Sequence, residues 1–263
     1  MAVPIMKPVL IRHDEDAVAR LVLNRPEARN ALSVALLGAL QRELDAIALD
    51  KEIRAVVIAG NGPAFCAGHD LKEMRANPDH ESCEDLFRRC AAVMLSITRL
   101  PQPVIARVHG MATAAGCQLV ATCDLAVAGP RARFATPGVN LGLFCSTPMV
   151  ALSRAVGRKA AMEMLLTGTP IDGETALGFG LINRVVPEDA LDDTVDALAT
   201  IIAGKSSLAV SLGKEAFYRQ LEMGLEEAYA HTSAVMTRNM LADDAAEGID
   251  AFLEKRTPHW KGR

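Results

Sequence analysis

The 263-residue chain is poor in several features that mark particular functions. Only ten residues are Phe, Trp or Tyr, there is no run of basic residues, and the formal net charge is −4. An acidic chain with few stacking side chains argues against nucleic-acid partners. No uncharged apolar run reaches the 18 residues of a membrane-crossing helix, so no membrane partner is expected. The amino-terminal stretch "MAVPIMKPVLIRHDEDAVARLVLNRP" has no continuous apolar core and so does not read as a signal peptide. The six cysteines (66, 83, 90, 117, 123 and 145) form no C-x-x-C pair. This spacing gives neither a zinc site nor a disulfide framework, and it points to a reduced, cytoplasmic compartment. Also missing are the G-x-G-x-x-G and Walker signatures, H-E-x-x-H and the G-x-S-x-G elbow. Nucleotide cradling, zinc-type metal catalysis and triad hydrolysis thus have no motif behind them, and no metal is expected.

What is present reads as an α/β chain. "AVARLVLNRP" alternates like a strand and closes on Asn-Arg-Pro turn chemistry. "LSVALLGALQRELDAIALD" follows with Ser33 as its N-cap and apolar residues at helical spacing. "IRAVVIAG" and "PVIARVHG" read as buried strands, roughly 82–99 as a helix, "AAGCQLVATC" as a helix and "DLAVAG" as a strand. Alternating strands and helices imply a buried, parallel sheet. From residue 147 helical patterns dominate, interrupted by the short strand "LINRVVP". The expected organisation is a core over 1–200 and a helical region over 201–263. That region is too small to bury its own apolar face, so it should pack on the core or on another subunit.

Two strand-to-helix junctions, 60–72 and 109–118, are rich in Gly and Ala. Small residues there let a ligand approach the backbone, and two converging N–H groups would make an oxyanion hole. Spacing alone leaves the alternative open that both are merely tight turns. Asp70 stands where a cap for a short helix starting at Leu71 belongs, and Asp124 sits at a helix-to-strand corner.

The segments "RPEARNALS", "AFCAGHDLKEM", "PVIARVHGMATAAGCQLVATCDLAVA", "FATPGVNLGL" and "GIDAFLEKRTPHW" resemble, in order and over nearly the whole chain, the crotonase superfamily of enoyl-CoA hydratases and isomerases. The wording of the second and third is similar to one subgroup, the enoyl-CoA hydratase domain-containing proteins of the third type. The resemblance implies a crotonase-type spiral of ββα units with a helical carboxy-terminal trimerisation region. It also implies a homotrimer or a dimer of trimers. The substrate would be an acyl-CoA thioester, with coenzyme A arriving as part of it and no permanently bound cofactor. Carried over by position, the N–H groups of Ala67 and Ala115 would flank the thioester oxygen. The adenine and pantetheine would lie along Ala67, Gly68, His69 and Asp70, and Arg29, Lys255 and Arg256 would meet the phosphates.

Hydratases of this family place glutamates where this chain has Gln118 and Gly138. Gln can orient a water or a carbonyl but cannot exchange a proton near neutral pH. The space beside Gly138 is expected to admit a water, an anion or a substrate carboxylate, flanked by Thr136, Cys145 and Ser146. Cys145, as nucleophile or proton carrier, and His69, as base, are the remaining candidates for chemistry. The expected protein is an acyl-CoA-acting enzyme in which ordinary hydration is weak or absent. The alternative is a non-catalytic acyl-CoA-binding or assembly protein.

Overall fold

The computed structural model describes residues 7–263; part of the amino-terminal stretch read against a signal peptide lies outside them. The chain opens with a hairpin, β1 (Leu10–Glu15) and β2 (Val18–Leu23), and α1 (Val34–Leu49) follows. Ser33 caps α1 by accepting from the Leu36 N–H. The face carrying Leu36, Leu37, Leu40, Leu44 and Ile47 is buried, each side chain contributing about 1.5–3 kcal/mol.

Three turns of a ββα winding come next. The first is β3 (Ala55–Gly60), β4 (Ala64–Cys66), α2 (Leu71–Ala76) and α3 (His80–Arg99). The second is β5 (Val104–Val108), β6 (Met111–Thr113) and α4 (Ala115–Thr122). The third is β7 (Leu125–Ala128), β8 (Arg133–Ala135), a 3-10 turn over Pro137–Leu141, α5 (Pro148–Ala155) and α6 (Arg158–Thr167). In each turn the first strand joins a six-stranded sheet, β1-β2-β3-β5-β7-β10, and the second joins a four-stranded one, β4-β6-β8-β9. The remaining members are β9 (Ile171–Asp172) and β10 (Arg184–Val185), with α7 (Gly173–Phe179) between them. This is the expected spiral of ββα units. Only the β1–β2 and β8–β9 pairs are antiparallel.

The main core lies between the two sheets and α1, α3 and α4, and a smaller one lies under α8 (Leu191–Ala203) on the other face of the large sheet. Three more helices complete the chain: α9 (Ser207–Gln220), α10 (Leu225–Met240) and α11 (Asp243–Glu254). One buried polar cluster docks α9. Asp124, at the end of α4, accepts from Lys214 Nζ at 2.6 Å, Tyr218 OH at 2.8 Å and the Val104 N–H at 2.7 Å. Lys214 also donates to the Ile97 and Gln102 carbonyls at 2.9 and 3.0 Å. Burial lowers the lysine's pKa and Asp124 opposes that shift; the tyrosine's is raised, by burial first and by Asp124 second. Asp124 is thus the structural residue its corner position suggested.

Candidate active site

The first junction is a loop held from two sides. Asp70 caps α2, its Oδ1 accepting from the N–H groups of Lys72 and Glu73, while Oδ2 pairs with Arg25 at 2.9 Å. Burial works against ionisation of Asp70, yet the Arg25 bond and the two N–H bonds outweigh it and hold its pKa below the usual value. Arg25 also donates to the Ala31 carbonyl at 2.6 Å. Asn30, fully buried and in the left-handed region at φ 56°, donates to the carbonyls of Asn61, Ala64 and Phe65. Neither Arg25 nor Asn30 was singled out from the sequence, where they read only as turn residues. The available signal was an Asn in a turn, the side chain that tolerates left-handed backbone best after Gly.

Leu32 pairs with this loop as a short parallel bridge. Its N–H donates to the Gly68 carbonyl at 2.7 Å and its carbonyl accepts the Asp70 N–H at 3.3 Å. In such pairing the intervening residue turns its own N–H the opposite way, so the His69 N–H faces the second junction. The Ala67 N–H, by contrast, is bonded to the Arg29 carbonyl at 3.0 Å. Ala67 therefore cannot supply the donor expected of it while this loop holds its shape, and His69 is the residue whose N–H is free.

The second junction meets the first with almost no gap. A Cβ on Gly68, which lies at φ 87°, would stand 2.9 Å from the Thr113 carbonyl oxygen and 3.3 Å from the Ala115 nitrogen. A Cβ on Gly116 would collide with the Cys66 carbonyl. Glycine is required at both places for the two loops to touch. Ala115 opens α4 in ordinary helical backbone, and the residue before it, Ala114, carries the unusual angles φ 51° and ψ −119°. Ala114 is tied to β8 by its N–H, which donates to the Ala135 carbonyl at 2.9 Å. Among the described residues, no protein group accepts from the N–H of His69 or of Ala115. Two free donors thus flank one seam, Ala115 at a helix amino terminus where the dipole favours negative charge.

Gln118 follows one helical turn later, 5% exposed, with its N–H bonded to the Ala114 carbonyl. Its Oε1 is buried and has no hydrogen-bond partner, and the same holds for Thr136 Oγ1 and His69 Nε2. Buried polar atoms are normally paired, so three orphans around the two junctions mark where a ligand's polar groups belong.

The space expected beside Gly138 is filled. Cys145 Sγ accepts from the Gly138 N–H at 3.3 Å and stands 2.9 Å from where a Cβ on residue 138 would be. Burial raises the Cys145 pKa above the ordinary thiol value, against the opposing pull of the Gly138 N–H. A protonated, buried thiol is a wall of the site rather than its nucleophile. The expectations of an anion space at Gly138 and of a reactive Cys145 are both corrected by this contact. The His69 ring packs edge-on against Phe87, centroids 5.4 Å apart. Burial lowers its pKa to about 4, so the imidazole is neutral at pH 7 and a weak base.

The phosphate-binding candidates separate. Arg29 is exposed, and its carbonyl anchors Ala67, which puts it at the rim of the loop. Lys255 ends α11 in left-handed backbone, and Arg256 is engaged by Glu247 at 2.6 and 2.9 Å and by Glu254 at 2.6 Å. Within one chain, no hydrogen bond joins the 243–263 segment to either junction. Among the described residues no group of His, Cys, Asp or Glu is placed to hold a metal ion.

Residues 13–263 match the family described as Enoyl-CoA hydratase/isomerase. The human mitochondrial enoyl-CoA hydratase domain-containing protein 3 is 49% identical over 93% of this chain and 81% of its own length. Its crystal structure overlays with a TM-score of 0.93 at 48% identity, covering 97% of this chain and all of that one. An enoyl-CoA hydratase structure from Mycobacterium smegmatis reaches a TM-score of 0.95 at 58% identity, covering 97% and 99%. The human, rat, mouse, frog and zebrafish relatives, 45–49% identical, are all named as mitochondrial. That finding overturns the cytoplasmic expectation: unpaired thiols mark a reducing compartment but do not choose among such compartments.

Proposed function

The chain belongs to the enoyl-CoA hydratase/isomerase family, and from that premise we propose that it binds an acyl-CoA thioester with the thioester oxygen between the His69 and Ala115 N–H groups. The observation that carries the reading is the pair of unpartnered donors flanking the Gly68–Ala115 seam. Negative charge that develops on that oxygen, as enolate or tetrahedral oxyanion, is stabilised by both, at about 3–4 kcal/mol per donor. The nucleotide end of coenzyme A then runs past the Ala67–Asp70 loop toward Arg29.

The acid/base partners of an ordinary hydratase are absent from this arrangement. Gln118 orients a ligand group without exchanging its proton, and Gly138 is backed by a protonated thiol. Hydration across a 2,3-double bond is accordingly weak or lacking. The chemistry that needs only the donor pair remains: thioester hydrolysis, decarboxylation of an acyl-CoA carboxylate, or addition with a proton carried by solvent. A second reading, binding without turnover, is favoured by one observation: His69 and Cys145 are both held well away from neutral-pH proton exchange.

The last three helices suit self-association. Leu225, Leu241 and Phe252 are 77–82% exposed, and large apolar side chains in such number need a protein cover. A homotrimer or a dimer of trimers built through α9–α11 supplies it, and could bring a neighbour's Lys255 to the phosphates. The activity is tested by adding crotonyl-CoA and following the loss of enoyl absorbance, beside calorimetric titration with a non-reactive acyl-CoA. Saturable binding with slow or no hydration is expected. Turnover of an ordinary hydratase's size would refute the acid/base reading, and failure to bind would refute the site.

A further inference from the structure

At the amino-terminal edge of the large sheet lies a cleft of ≈ 500 Å³ that the thioester reading does not use. Arg54 immediately precedes β3 and Gly60 ends it, so the cleft and the two junctions are separated by about the length of that strand, roughly 20 Å. Four segments build it: the end of α1, the Pro101–Gln102 approach to β5, the α8–α9 corner, and the 261–263 tail. Its volume falls in the range of small-molecule sites, roughly 300–1,000 Å³.

The charge of the cleft is opposite to that of the chain. Lys51, Arg54, Lys205 and Lys261 line it without an ion pair, and Arg263 adds a fifth cation that is paired with Asp243. Two carboxylates share the lining, Asp50 and Glu52, and Asp50 is already paired with Arg12. Five cationic side chains against two carboxylates, in a chain of formal charge −4, concentrate positive potential at one place. The corner between α8 and α9 also presents the start of a 14-residue helix, whose cap Ser206 satisfies only the Ala209 N–H.

A second, independent observation concerns Gln102 in the floor. It is 7% exposed, and its Nε2 donates to the carbonyls of Ile47, Asp50 and Ile53. Its Oε1 has no partner, an acceptor left waiting for a donor. Cations at the rim and an unpaired acceptor in the floor ask for a ligand with both phosphate and an N–H or O–H donor.

We propose that this cleft binds a small phosphorylated ligand of nucleotide size, its phosphates on Lys51, Arg54, Lys205 and Lys261 and a donor group toward Gln102 Oε1. Such a ligand bridges the core and the carboxy-terminal helices, so it also stiffens their docking. ATP is the probe, titrated calorimetrically into the full chain, with adenosine and inorganic triphosphate as comparison probes. Saturable ATP binding is expected, together with a rise in melting temperature. Triphosphate should bind more weakly and adenosine not measurably. The double variant Lys51→Glu/Lys205→Glu, which alters two exposed side chains, should weaken ATP by roughly tenfold or more. Gln102→Met should weaken ATP but leave triphosphate unchanged. Arg29→Glu, at the thioester site, should leave ATP binding as it is, which separates this cleft from recognition of the nucleotide in coenzyme A. Absence of saturable ATP binding would overturn the proposal. So would retention of binding in the double variant, adenosine binding as well as ATP, or loss of ATP binding in Arg29→Glu.

Discussion

The sulfur of Cys145 stands where a side chain on Gly138 would begin, 2.9 Å from the position of that Cβ. Restoring a glutamate at 138 alone should therefore overpack the site. Gly138→Glu is expected to cost about 1–3 kcal/mol in urea unfolding and to add no hydration of crotonyl-CoA. The double change Gly138→Glu/Cys145→Gly, which removes the obstructing thiol, should recover part of that stability and be the better hydratase. Equal behaviour of the single and double variants would show that the thiol does not close the space.

Gln118→Glu tests the second missing acid. At a position 5% exposed, the new carboxyl should have its pKa pushed up by burial, toward the range where proton transfer is effective. Hydration of crotonyl-CoA should rise by about 10²-fold over the parent, with an acid limb in the pH–rate profile that the parent lacks. No change in rate or profile would remove residue 118 from contact with the reacting carbons.

The His69 imidazole makes stability depend on pH with a definite sign. Its pKa is about 4 in the folded chain against the ordinary value near 6.5, so between these limits the unfolded chain binds the extra proton. The contribution is fully present above pH 6.5 and is lost as the pH falls toward 4. Between pH 7 and pH 5 the wild type should lose about 2 kcal/mol more than His69→Phe, measured by denaturant titration at both values. Parallel pH curves for the two would mean the ring is not held neutral.

Lys214 and Asp124 join parts of the chain ninety residues apart in sequence. Lys214→Met leaves Asp124 without its cation and should destabilise the fold by about 3–5 kcal/mol. Tyr218→Phe, which removes a single hydrogen bond, should cost about 1–3 kcal/mol. Limited proteolysis should cut the Lys214→Met variant first beyond residue 203, since α9 is the element that loses its anchor. Cleavage spread evenly along the chain would argue that the cluster does not dock the helices.

Features set by neighbours in sequence were readable before any coordinates. Ser33 and Asp70 cap the helices they precede because a capping side chain reaches only two or three residues along. The strands β4, β6 and β8 were not readable: three residues carry no periodicity, and their pairing is decided by the spiral. β1 was missed for a related reason, since its inner and outer faces are both partly exposed and polar. Ala67 and His69 look equally eligible as donors in "AFCAGHD". What separates them is the Arg29 carbonyl, which reaches the loop from 38 positions upstream. The Gly138 space was misjudged for the same kind of reason, because the 3-10 turn and the chain after it fold Cys145 back over it. Local chemistry was legible, and which atoms remain free after packing was not.

Ala114 holds backbone angles that a side chain normally avoids, at a cost of about 1–3 kcal/mol. That cost is met when the chain folds, by the β6–β8 pairing and the first turn of α4, and nothing further is owed when a ligand arrives. The two junctions are rigid before binding: their donors need no induced movement, and the entropy of ordering them has already been lost. A loop set in this way should recognise its thioester by fit on arrival, with association limited by diffusion and entry rather than by a conformational step.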